Sequence, residues 1–158
     1  MNFSGRSDRN NSEQPIETDS LQQLLKFLLS FAAEMLADAG SFLPFGAGVT
    51  ADGELTATPS LAKLPAADPR TVLAAVFTDL RLQASSGSIN AAGICTNVQM
   101  SLPGAPLPAD AICLELEDRA GRAVEVFVPY TIGSGAPLRL GEAVITGGEP
   151  SIFVASAD

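Results

Sequence analysis

The sequence predicts an α+β fold: two helices packed on one face of an antiparallel sheet of about five strands, in the order α-β-β-α-β-β-β with a C-terminal extension. Three observations carry that prediction. Apolar residues recur at steps of three and four in two early stretches, and they alternate at a step of two in three later ones. The strand-like stretches are joined by short, turn-forming connections, which favour antiparallel pairing. With 158 residues, 46% apolar and 17% charged, the chain has material for one core. The expected organisation is a disordered leader over 1–17 and a single domain over 18–158.

The leader is almost free of apolar residues and rich in Ser, Asn, Arg, Asp and Glu. From Leu21 the pattern changes: Leu21, Leu25, Leu28, Ala32, Met35 and Ala39 form one helical stripe, with Asp19 or Ser20 as cap and Gly40 as terminator. Asp52-Gly53 then sets a tight turn in a hairpin spanning about 45–58. A loop of two prolines leads to Asp68-Pro69, an N-cap followed by Pro at the first helical position, where its missing N–H costs nothing. Val72, Leu73, Val76, Phe77 and Leu80 give the second helix its apolar side, and Gly87 stops it. Strands follow over 90–101, 111–117 and 123–130, with a weaker apolar tail at 138–146 and 151–154. Ile94, Val98, Ile112, Leu114, Leu116, Val124, Val126 and Val128 are expected to face the helices.

Composition excludes several functions. The net charge is −9 and the pI about 4.3, with no Lys/Arg cluster, so neither nucleic acid nor an anionic membrane is an expected partner. No stretch reads as a signal peptide or a transmembrane span. Two cysteines, Cys95 and Cys113, are too few for a disulfide framework, and free thiols suit a cytoplasmic setting. The chain has no histidine, which removes the usual base of serine and cysteine nucleophiles and leaves too few ligands for a zinc site. No cofactor is expected. Gly46-Ala47-Gly48 lacks a Walker lysine and precedes a strand, so it is not a phosphate loop.

One hairpin can be registered from sequence. Placing Leu116 opposite Val124 keeps both apolar sets on one face, and an odd slip would expose one set. Asp118 then faces Arg122 across a three-residue loop with Gly121 in the left-handed position, Cys113 faces Phe127, and Glu115 faces Glu125. Glu117 lies on the same side as Glu115, so three carboxylates converge on the outer face. Glu115, Glu117 and Glu125 are a candidate set for a divalent cation, because hard cations take oxygen ligands; otherwise the face is solvated and neutralised by an arginine such as Arg139. Cys95, Asn97, Gln99 and Phe127 are expected beside them as a surface for a partner or ligand.

Phe42-Leu43-Pro44-Phe45-Gly46 is the most distinctive local stretch. Pro44 fixes the chain, and Phe42 and Phe45 are expected to anchor a rigid structural corner; the alternative is that they line a ligand pocket. The helix ending in Glu34-Met35-Leu36, the Gly40-Ser41-Phe42-Leu43-Pro44-Phe45-Gly46 stretch, Val128-Pro129-Tyr130 and Gly148-Glu149-Pro150-Ser151-Ile152-Phe153 together resemble a group of small bacterial proteins with no established activity. That resemblance implies a bacterial cytosolic setting and nothing catalytic.

The functional expectation is a non-catalytic module that binds a protein partner or itself, a homodimer, through its sheet face or edge. The alternative is a small-ligand or divalent-metal protein, or an enzyme, built on the carboxylate cluster.

Overall fold

The structure, a computed structural model, describes residues 16–58, 68–133 and 137–153. Residues 1–15, most of the expected leader, lie outside them. Helix α1 (Ile16–Ala39) begins two residues inside that leader. It ends where Gly40, at φ 80°, donates its N–H to Leu36 O. Leu24, Leu28, Ala32 and Leu36 lie fully or almost fully buried on its inner side. Each of the leucines contributes about 1.5–3 kcal/mol of burial. Helix α2 (Pro69–Ser85) is capped by Asp68, whose carboxylate accepts from the backbone N–H groups of Arg70 and Thr71. Val72, Val76, Leu80 and Ala84 form its buried stripe, one residue per turn.

The strands are β1 (Phe45–Val49), β2 (Leu55–Ala57), β3 (Ala91–Met100), β4 (Ala109–Asp118), β5 (Ala123–Thr131), β6 (Arg139–Leu140) and β7 (Val144–Gly147). They form one antiparallel sheet in the order β2-β1-β3-β4-β5-β6, with β7 also on β5. The α+β class and the element order match the expectation. The count rises from about five strands to seven because the C-terminal extension pairs with β5 as β6 and β7. Residues 151–153 do not form a strand; they cross the sheet as a strap.

The helices do not share a face. α1 packs on Phe45, Ala47, Val49, Ala91, Cys95, Leu114, Leu116, Val126 and Val128, whereas α2 packs on Ala92, Ile94 and Ile152. Directly opposed residues in an antiparallel ladder point the same way, and Cys95 is opposite Leu114 while Ile94 is opposite Glu115. The first half of β3 is therefore sandwiched between α1 and α2. Glycine makes the sandwich possible. A Cβ on Gly46 would sit 2.8 Å from Val76 Cγ1, and one on Gly93, on the opposite face, 2.7 Å from Leu28 Cδ1. Residues 91–95 are buried on both faces, so their alternation carries no information about which side is inward.

Candidate functional site

The β4–β5 hairpin has the expected register, with Leu116 opposite Val124, Glu115 opposite Glu125 and Cys113 opposite Phe127. Its loop closes as expected: Gly121 takes φ 102°, and Asp118 accepts from Arg122 Nε at 2.7 Å and from Arg122 N at 3.0 Å. This side of the sheet carries α2 at its β1–β3 end, and among the described residues it is covered over β4 and β5 only by the strap. A hollow of about 340 Å³ lies there, lined by Phe77, Glu115, Glu117, Glu125, Gly148 and Glu149 among others.

The three carboxylates do not act alike. Glu117 is buried, and it accepts from four donors of the strap: Ser151 N at 3.0 and 3.1 Å to its two oxygens, Ser151 Oγ at 3.2 Å, Ile152 N at 3.0 Å and Phe153 N at 2.9 Å. Such a nest of N–H groups satisfies a carboxylate without a cation. Arg81 Nε donates to Ser151 O at 2.9 Å, Ile152 is buried against α2, and Arg119 lies 4.9 Å from the Phe153 ring centre. Glu117 is thus a clamp, and the sequence offered no signal for its partners, which lie 34 to 36 residues away.

Glu115 and Glu125 remain half-buried in the hollow. Burial raises the Glu115 carboxyl above the usual range, and the charges of Glu125 and then Glu117 add to it. The third member of the cluster is Cys113: its sulfur and one oxygen each of Glu115 and Glu125 lie within 4.8 Å of one another. Burial pushes the Cys113 thiol up to about 11, helped by Glu115 and Glu125 and opposed by a hydrogen bond with Thr96. The expected neutralising arginine is elsewhere, since Arg139 pairs with Thr131 at the far end of β5 from Glu125.

The expected companion surface is divided between the two faces. Phe127 shares the face of Glu115 and Glu125, but Cys95, Asn97 and Gln99 point to the other one, because Asn97 is opposite Ile112. Cys95 is fully buried beneath α1, and that burial raises its thiol well above the usual range. Asn97 accepts from Tyr130 Oη at 2.8 Å, and Gln99 Nε2 reaches Asp110 Oδ1 at 3.4 Å.

The 42–45 corner combines ring contacts with a groove. Phe45 is buried, edge-on to Phe31 at 5.1 Å and to Phe42 at 5.8 Å between ring centres. Phe42, Leu43 and Pro44 also line a groove of about 650 Å³ against α2 and β3.

At the opposite end of the sheet, β6 and β7 follow one another along β5, and among the described residues no strand pairs with their outer side. Leu140, Val144 and Ile145 are exposed there, Ile145 by 66%. No helix among the described residues is long and apolar enough to cross a membrane. No family model, no curated protein and no solved structure matches the chain.

Proposed function

We propose that the protein is a non-catalytic, cytosolic interaction module that forms a homodimer by joining the β7 edges of two copies. The open edge strand carries this reading. Proteins usually blunt an exposed edge with lysine, proline or a covering element, and residues 144–147 read Val-Ile-Thr-Gly with every residue exposed. Gly148 donates to Ala123 O, so alternation directs Val144 and Thr146 toward β5 and leaves the amides and carbonyls of Ile145 and Gly147 facing outward. A two-fold axis through Ile145 pairs that residue with its own copy. The test is Ile145→Cys under mild oxidation. In a hydrogen-bonded antiparallel pair the Cα atoms lie about 5.5 Å apart, within disulfide reach; the two native cysteines are buried and leave little background. Dimer-sized product from Ile145→Cys, but not from Val144→Cys, is expected. Ile145→Lys should yield a folded monomer whose melting temperature, unlike that of the wild type, does not rise with protein concentration. A wild-type chain that sediments as a monomer at about 100 μM would defeat the proposal.

A second reading is favoured by one observation, the grouping of Cys113, Glu115 and Glu125 in a hollow. In it, a divalent cation relieves the repulsion between the two carboxylates. Its test is a melting temperature that rises in millimolar Mn²⁺ or Zn²⁺ and no longer does so in Glu125→Gln; no rise with either ion excludes it.

A further inference from the structure

We infer that the groove between the 41–44 corner, α2 and β3 binds the carboxyl terminus of an extended protein segment. β1 leaves β3 at the Phe45–Cys95 pair, whereas β3 continues to Met100. Among the described residues the edge of β3 is therefore open over 96–100. Thr58 donates its N–H to Gly46 O, so alternation turns Gly46 and Gly48 toward β2 and Phe45, Ala47 and Val49 toward β3. The β3 residues bonded to β1 are then 91, 93 and 95, and the same alternation aims the amide and carbonyl of Asn97 at the open edge. Among the described residues no backbone group meets them. Asn97 lines the groove, so an extended chain laid there gains main-chain hydrogen bonds by strand addition.

The walls specify the rest of the ligand. Phe42, Leu43, Pro44, Leu73 and Val98 make them apolar, and Arg70 is the one charged side chain among the described lining residues. On a chain with 18 acidic and nine basic residues, a groove whose described lining holds a cation and no carboxylate is selective for an anion. Arg70 is exposed on the first turn of α2 and forms no ion pair among the described residues. The nearby Asp68 carboxylate is engaged by Arg70 N, Thr71 N and Thr71 Oγ1, leaving the guanidinium as the donor fork. The open edge presents few backbone groups, so a chain end, whose carboxylate accepts two bonds from one guanidinium, fits better than a long strand. The last side chain would sit against Leu73 and Val98.

The test is fluorescence anisotropy of N-terminally labelled tetrapeptides ending in Val, Leu or Phe, titrated with the full chain. Peptides with a free carboxylate should bind saturably, and C-terminal amidation and Arg70→Gln should each weaken binding about ten-fold. Arg70→Gln should leave the melting temperature unchanged, which separates loss of binding from loss of fold. Amide-resolved NMR titration should move Leu73, Asn97 and Val98. Absence of binding at about 1 mM peptide, equal binding of the amidated peptide, equal binding by Arg70→Gln, or shifts confined to 144–147 would each overturn the inference. The last pattern would instead place peptides on the dimer edge.

Discussion

The two halves of the sheet are built on opposite terms. Around β1 and the first half of β3 both faces are roofed, α1 above and α2 below, and the strands carry Gly46, Ala47, Gly48, Ala91, Ala92 and Gly93 so that the helices can approach. Around β4 and β5, among the described residues, only the α1 face is closed by a helix. The other face holds Glu115, Glu125, Phe127 and a hollow, with the strap as its cover. The closed half spends its surface on stability. The open half keeps polar groups and, among the described residues, an unpaired edge, features a core does not need. A protein whose sole task was to fold would have little reason for the asymmetry.

The largest effect expected is in the closed half. Phe45→Ala removes a fully packed ring that touches both Phe31 and Phe42, and it should cost about 3–5 kcal/mol. That corresponds to a melting temperature lowered by roughly 10 °C. A loss below about 1 kcal/mol would mean that the corner does not anchor the closed half, and the contrast between the halves would fail.

An intermediate effect is expected where the halves meet. Glu117→Gln replaces an oxygen with an amide N–H₂ facing donors from 151–153, at a cost of about 2–3 kcal/mol. The strap should lift before the sheet melts. Hydrogen exchange at Ile152 and Phe153 should accelerate, while exchange at Leu114 and Cys95 stays close to wild type. Uniform acceleration across the sheet would show that the strap is not a separable cover.

Much of this architecture was legible in the sequence, and the boundary of legibility has a physical cause. The β4–β5 register followed from Leu116 and Val124 because that hairpin has one buried and one open face, so a slip exposes the core. The same logic failed on β3. Ile94 and Val98 looked inward, but with helices on both sides of its first half the alternation of β3 does not distinguish faces, and Cys95, Asn97 and Gln99 were placed beside the carboxylates when they lie across the sheet. The glycines of β1 were the missed signal: two glycines flanking one alanine in a strand mark a second layer pressing on it. Of the candidate cation set, Glu115 and Glu125 meet as the register required. Glu117 is taken by a strap whose contacts span more than 30 residues, a separation no local pattern encodes, and Cys113 stands in its place.

The smallest expected effect has the opposite sign and probes the open half. Glu115 and Glu125 are directly opposed, and like charges so placed destabilise a sheet by about 0.5–1 kcal/mol. The folded state raises the Glu115 carboxyl, chiefly through burial, so across the window from its unfolded value up to its folded one the native chain holds more protons than the unfolded chain. Stability therefore falls as pH rises through that window. Glu115→Gln removes the penalty, and the variant should melt about 2 °C higher than wild type at pH 7. The advantage should fade on acidification toward about pH 4, where the wild-type carboxyl is itself protonated. A variant less stable than wild type at pH 7 would mean that a positive charge already holds Glu115 and Glu125 together. The hollow would then be a cation or basic-group site, and the open half would owe its carboxylates to that ligand.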